Sequence, residues 1–176
     1  MIKRLSDVAG LIVTAFFLQL SVQAQPARDS TGQHTSASAS GDSVTIHQEL
    51  DFRSTPEQLY EALLDAKRFS EFSAQSGEFS AMSAKIDRAA GGAFSLFDGH
   101  IIGRNVELIP NQRIVQAWRV VDWPPGVYSI VRFEITAGKS GTHLIFDHTA
   151  FPAKLRDHLA AGWQSHYWDQ LRKYLR

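Results

Sequence analysis

The last quarter of the chain constrains the fold most, because it predicts a strand, a tight turn, a second strand and one long helix in direct succession. The strands are VRFEIT (residues 131–136) and HLIFDHT (residues 143–149), and AGKSG turns between them. An apolar stripe at helical spacing follows Phe151-Pro152, with members Leu155, Leu159, Trp163, Tyr167, Leu171 and Tyr174. A long helix that follows an antiparallel meander can lie across the concave face of the sheet and enclose a pocket.

The preceding residues predict further strands, with two helices inserted after the first strand. Residues 44–52 alternate between apolar and polar side chains, which is typical of a half-buried strand. Ser54-Thr55-Pro56-Glu57 has the residue types of a helix start, and a second short helix contains Phe69 and Phe72. Short turns between the later strands, such as Asp98-Gly99, favour antiparallel pairing. The predicted fold class is α+β.

The alternation along the strands also predicts which side chains face the terminal helix. These are Phe94, Leu96, Ile114, Trp118, Val131, Phe133, Leu144 and Phe146. The two layers form either a solid core or a core with a cavity, and the many aromatic side chains favour an irregular space. If there is a cavity, the candidate ligand-pocket residues are Phe94, Leu96, Trp118, Phe133, Phe146, His148, Leu159, Trp163, His166, Tyr167 and Gln170.

The first 24 residues have the pattern of a secretory signal peptide. Lys3 and Arg4 precede a mostly apolar segment over residues 8–20, which is shorter than the roughly 20 residues that span a bilayer as a helix. We therefore predict a signal peptide over residues 1–24, a flexible Ser/Ala-rich linker over residues 25–43 and a folded domain over residues 44–176. The protein is expected to be exported, periplasmic or secreted, without stable membrane insertion after cleavage. The alternatives are a retained membrane anchor and a buried N-terminal helix.

The composition argues against several classes of function. The chain has no cysteine, so neither a disulfide nor a cysteine nucleophile is possible. Lys and Arg together number 18, as do Asp and Glu, and this neutrality removes the main electrostatic argument for a nucleic-acid partner. Phosphate-binding and dinucleotide-binding glycine motifs are absent from the sequence. We expect no cofactor and no nucleic-acid partner.

The histidines offer few candidates for a metal site or for catalysis. The seven are His34, His47, His100, His143, His148, His158 and His166. None of their spacings matches a zinc motif, so no metal site is predicted. His158 and His166 are expected on different sides of the helical stripe. His148 is either a core histidine hydrogen-bonded to backbone or a polar anchor for a ligand oxygen, and a His148/His166 pair is the one candidate for acid–base catalysis.

The order of these motifs resembles the START-like (SRPBCC) superfamily, which has the helix-grip fold. Within it, the chain is similar to the branch named after the activator of the ATPase of heat-shock protein 90, in its small stand-alone bacterial form. The resemblance covers about residues 44–175 and is carried by FRSTP (52–56), GGAF (91–94), GRNVELIP (103–110), His148 with Phe151-Pro152, and Gly162-Trp163.

This resemblance implies a curved antiparallel sheet of about seven strands, two short helices after the first strand, a long C-terminal helix and a hydrophobic cavity. It implies no single activity, because the superfamily serves many functions. We expect an exported protein that binds a lipid or another hydrophobic, amphipathic or aromatic small molecule. A co-chaperone role is not expected, because that chaperone acts inside cells. The alternatives are a cyclase- or hydrolase-like enzyme, and a protein-interaction domain with a filled core and an exposed apolar patch around Trp123 and Trp168.

Overall fold

One seven-stranded antiparallel sheet forms the scaffold of the domain in the computed structural model, which describes residues 44–76 and 82–176. Its order is β1-β7-β6-β5-β4-β3-β2. The strands are β1 (Thr45–Phe52), β2 (Lys85–Ile86), β3 (Ala93–Leu96), β4 (Ile101–Ile109), β5 (Arg113–Val120), β6 (Ser129–Gly138) and β7 (Gly141–Thr149). The predicted signal peptide and linker lie outside the described residues. No helix in the described part of the chain is long and apolar enough to cross a membrane.

Two short helices follow β1, as predicted, and local side chains determine where each begins. Helix α1 (Pro56–Leu64) is capped by Thr55, whose hydroxyl accepts from the Gln58 backbone N–H while the Gln58 side chain accepts from the Thr55 N–H. Helix α2 (Ala66–Ser73) begins after Asp65, whose carboxylate accepts from the backbone N–H of Arg68 at 2.9 Å. Both helices bury their apolar faces in the core.

The C-terminal helix runs from Arg156 to Tyr174 and contains a π turn at its centre. It consists of α3 (Arg156–Gly162), the π turn (Trp163–Trp168) and α4 (Asp169–Tyr174). A π turn adds one residue to a helical turn, so it rotates the side chains that follow relative to a regular α-helix. With this helix against the sheet, the domain has the helix-grip fold that the sequence predicts.

The core lies between the sheet and the C-terminal helix. All eight strand residues that the sequence places on the facing side are buried. The ring of Phe146 lies 4.4 Å from Trp163 and 5.0 Å from Trp168, and the two indoles stack on each other. This aromatic cluster fixes the helix across β6 and β7.

The protein-interaction alternative predicts an exposed apolar patch around Trp123 and Trp168, and this prediction is wrong. Trp168 is fully buried and Trp123 is only 7% exposed. Trp168 belongs to the π turn, which brings its indole into the core so that Nε1 donates to Gln48 Oε1 on β1 at 2.7 Å. Trp123 packs edge-on against Trp118. A regular helical period does not predict the burial of Trp168. The turn sequence around Trp123 does not predict the burial of that side chain.

Close packing at Gly103 leads to a first prediction. A Cβ at this position of β4 would collide with the carbonyl oxygen of Ala117 and with the ring of Phe94. We expect Gly103→Ala to lower the free energy of unfolding by at least about 2 kcal/mol, because overpacking against backbone cannot relax easily. Urea denaturation of the full chain measures this loss.

Gly162→Ala is the matched control for that substitution. A Cβ at Gly162 meets only His166 Cδ2, at 3.9 Å, which is ordinary contact. Alanine also favours a helix by about 1 kcal/mol over glycine, so this variant should be unchanged or more stable. Equal stabilities of the two variants would contradict the packing described for β4.

Candidate ligand-binding cavity

A cavity of about 500 Å³ opens between the C-terminal helix and the β3–β4 end of the sheet. Its aromatic walls are Phe97, Trp118, Trp163 and Tyr167, and its aliphatic walls are Met82, Ile101, Val120 and Leu159. Ala161 and Gly162 expose the helix backbone to the cavity. The volume falls in the range of small-molecule sites, and a mostly apolar lining with a few polar groups is typical of such sites.

The structure brings together about half of the predicted pocket residues. Trp118, Leu159, Trp163, His166 and Tyr167 line the cavity. The others are buried outside its lining: Phe94, Leu96, Phe133, Phe146, His148 and Gln170. The reason is that the aromatic cluster fills the interface over β6 and β7, so the cavity is confined to the other end of the helix.

Sequence reasoning missed several lining residues and misplaced one histidine. Phe97, His100 and Ile101 come from the turn between β3 and β4 and from the start of β4. His158 lines the same cavity as His166, so the expectation that they lie on different sides is wrong. A signal was present, because His158, Gly162 and His166 recur every four residues and therefore share one helical face.

His148 is the centre of a buried hydrogen-bonded chain. Trp163 Nε1 donates to His148 Nδ1 at 3.0 Å, and His148 Nε2 lies 2.7 Å from Ser129 Oγ. Because an indole nitrogen can only donate, Nδ1 must carry no hydrogen and Nε2–H donates to Ser129. The Ser129 hydroxyl then donates to the Trp118 carbonyl oxygen at 2.8 Å. The chain joins β5, β6, β7 and the C-terminal helix.

The proton arrangement in this chain does not suit catalysis. A Ser–His dyad needs a histidine nitrogen that accepts the serine proton, whereas His148 Nε2 donates to Ser129. Both residues are fully buried, and desolvation lowers the pKa of His148 to about 3. The ring is therefore neutral with both nitrogens bonded, and these contacts favour the core-histidine interpretation over the acid–base one. The predicted backbone partners are wrong, because both nitrogens bond side chains.

Two residues that line the cavity carry polar side-chain atoms that are enclosed by protein. Trp118 Nε1 and Tyr167 Oη are both enclosed, and neither meets hydrogen-bond geometry with any group in the described part of the chain. Burial raises the pKa of Tyr167 well above its ordinary value, while the nearby Trp118 N–H lowers it slightly. The phenol is thus a donor at any ordinary pH.

The remaining polar lining consists of histidine and serine. His100, His158, His166 and Ser165 line the cavity, and the Ser165 hydroxyl donates to the Ala161 carbonyl oxygen at 3.0 Å. Among residues 44–76 and 82–176, no group of three or more His, Cys, Asp or Glu side chains could hold a metal ion. This lining combines apolar walls with imidazoles, each of which can donate and accept a hydrogen bond.

A curved antiparallel sheet gripped by a C-terminal helix over a cavity defines a START-like domain. The family model described as "Activator of Hsp90 ATPase homolog 1-like protein" matches residues 53–176, and the chain belongs to this family. The activator of 90 kDa heat shock protein ATPase homolog 2 of Mus musculus is 29% identical over 75% of this chain. The chain spans only 38% of that protein's length.

Solved structures show the same fold. The crystal structure of an HSP90 activator from Plasmodium falciparum has a TM-score of 0.64 and 29% identity, over 76% of this chain and 95% of that one. A protein of Mesorhizobium loti has a TM-score of 0.62 at 21% identity, over 75% of this chain and 96% of that one. At that identity, the second likeness shows the fold alone.

Proposed function

We propose that this domain binds an apolar or amphipathic small molecule in the cavity between the C-terminal helix and the sheet. The observation that carries the proposal is an aromatic-lined cavity of about 500 Å³ whose wall also contains His100, His158 and His166. Burial of apolar ligand surface contributes about 25 cal/mol per Å². The imidazoles of His100, His158 and His166 would supply polar contacts that orient the ligand.

The N-terminal sequence supports an exported location for this activity. Residues 1–24 have the signal-peptide pattern, and the Ser/Ala-rich segment after them suits a tether. We propose a periplasmic or secreted binding protein, in which the ligand is collected outside the cytoplasm. Mass spectrometry of the protein exported by its own host measures the cleavage; an uncleaved N-terminus would refute this part of the proposal.

Blocking the cavity is the direct test of binding. In Gly162→Leu the new side chain begins beside His166 on the cavity wall, so it should occupy the space that a ligand needs. We expect the affinity for the neutral fluorescent probe N-phenyl-1-naphthylamine to fall at least about tenfold, which corresponds to the lost burial of a few methylene groups. A fluorescence titration of the full chain measures the change.

Gln164→Leu is the matched control, because Gln164 is exposed on the same helix and does not line the cavity. It adds a leucine of the same size and should leave probe affinity within about twofold. The proposal would be overturned if the unsubstituted chain did not bind the probe, or if Gly162→Leu bound it as tightly as the unsubstituted chain does. Native mass spectrometry gives a second readout, since a retained natural ligand appears as extra mass that is lost on denaturation.

The names of the relatives suggest a second candidate function. Several curated relatives are named as activators of the 90 kDa heat shock protein ATPase, and the family description carries the same activity. We propose that this activity does not extend to the present protein, because the predicted signal peptide would separate it from a chaperone inside the cell. Addition of the full chain to a purified Hsp90 ATPase assay tests this; stimulation would favour the activator function.

A further inference from the structure

We propose that the cavity selects an aromatic acid, meaning an aromatic ring system that carries a carboxylate, over its neutral and cationic analogues. This inference rests on the ligand-binding function proposed above and adds the chemical class of the ligand. It follows from the shape of the aromatic walls and from the charge and hydrogen-bonding character of the polar groups that line the cavity.

The walls favour a flat ring. Trp163 lies 4.3 Å from Tyr167 and 5.8 Å from Trp118 between ring centroids, and Phe97 lies 5.9 Å from Tyr167. The four rings therefore form one continuous aromatic surface around the cavity. Aromatic pairs gain about 0.5–1.5 kcal/mol beyond their buried area, so an aromatic ligand is stabilised here more than an alkyl chain of equal area.

The polar side chains that line the cavity favour a ligand group that accepts hydrogen bonds over one that only donates them. Within the described part of the chain, the lining contains no Asp, Glu, Lys or Arg side chain. Its ionisable groups are the three imidazoles of His100, His158 and His166 and the protonated phenol of Tyr167. An ammonium group would find no carboxylate there. A carboxylate would meet imidazole N–H donors, and it would favour the charged form of any imidazole that it contacts.

The acidic side chains next to these histidines in sequence do not add a carboxylate to the cavity lining. Asp98 precedes His100 by two residues, but its carboxylate accepts hydrogen bonds from the Ser83 backbone N–H and hydroxyl, both at 2.8 Å. Asp157 is 98% exposed and lies 3.7 Å from Arg156. Neither carboxylate lines the cavity.

The imidazoles come from two separate elements that both line the cavity. His158 and His166 stand two helical turns apart on the C-terminal helix, with the π turn beginning between them, whereas His100 follows the β3–β4 turn. His166 lies edge-on to Phe97, at 6.5 Å between centroids. A ligand ring held by the aromatic walls can thus place its carboxylate against imidazoles from either side.

The test compares three probes that share one ring: 2-naphthaleneacetate, 2-naphthaleneethanol and 2-naphthaleneethylammonium. In each titration, one of these three compounds competes with N-phenyl-1-naphthylamine for binding to the full chain at pH 7. We expect the acid to bind about tenfold more tightly than the alcohol, as one or two charge-assisted hydrogen bonds would give, and the ammonium to bind most weakly. An acid that binds no better than the alcohol, or an ammonium that binds best, would overturn the inference.

A variant pair assigns the effect to the cavity histidines. Changing His158 and His166 together to Gln should remove the advantage of the acid, so that the acid and the alcohol bind within about twofold of each other. His143→Gln is the control, because His143 lies on the opposite face of β7 beside Asp51. If the double variant still bound the acid about tenfold more tightly than the alcohol, the assignment of the effect to these histidines would be overturned. Loss of N-phenyl-1-naphthylamine binding itself would instead indicate failure of the proposed function.

Discussion

Trp168→Ala should lower the free energy of unfolding by about 3–5 kcal/mol, which is the usual cost of truncating a fully buried tryptophan. The indole is 0% exposed, stacks on Trp163 at 5.6 Å and packs 5.0 Å from Phe146. Its removal would leave a cavity in the aromatic cluster and would leave Gln48 Oε1 without its donor. Urea or thermal denaturation of the full chain measures the loss.

Two further substitutions separate packing from other effects. Trp168→Phe keeps an aromatic ring but removes the hydrogen bond to Gln48, so it should cost less than the alanine variant. Tyr128→Ala removes an aromatic side chain that is 46% exposed, and it should cost less than about 1 kcal/mol. A similar loss for Trp168→Ala and Tyr128→Ala would contradict the burial of Trp168.

Acidification should destabilise the fold through His148. In the unfolded chain its imidazole titrates near 6.5, whereas in the fold its pKa is lowered to about 3. Between these values the unfolded state binds more protons, so the free energy of unfolding falls as the pH falls from about 6.5 towards 3. From pH 7 to pH 5 the expected loss due to this residue is about 2 kcal/mol.

The comparison with His148→Gln isolates that contribution. Glutamine retains an acceptor for the Trp163 N–H and a donor for Ser129 but does not titrate, so the variant should lose about 2 kcal/mol less than the unsubstituted chain over the same interval. Other groups titrate in both proteins, so their contributions cancel in the difference between the two pH profiles. One of these is His47, whose pKa is raised by its hydrogen bond to Asp147. Superimposable pH profiles of the two proteins would exclude the proposed role of His148.

Much of the fold was predictable because it depends on local periodicity and on caps. The alternation over Val131, Phe133, Leu144 and Phe146 follows from the two-residue period of a strand, and it correctly gave the buried face. The helix starts at Thr55 and Asp65 depend on side chains within three residues of the first turn. The family resemblance added the strand count and the terminal helix across the sheet.

The cavity was less predictable because long-range packing decides where space remains. Phe133 and Phe146 lie on the predicted face, yet they pack against Trp163 and Trp168 and fill the interface instead of lining a pocket. The β3–β4 turn supplies Phe97 to the opposite wall. A sequence pattern gives the side of an element on which a residue lies, but not the distance to the facing layer.

The sequence by itself determined most of the strands, the first helix start and the terminal helix, because periodicity, capping residues and turn residues all act within a few positions of one another. Only the tertiary structure decided that His148 is locked between Trp163 and Ser129, and that Trp168 is buried. The physical reason is the π turn at Trp163–Trp168, which departs from the regular helical period. Its side chains are placed by packing against strands distant in sequence.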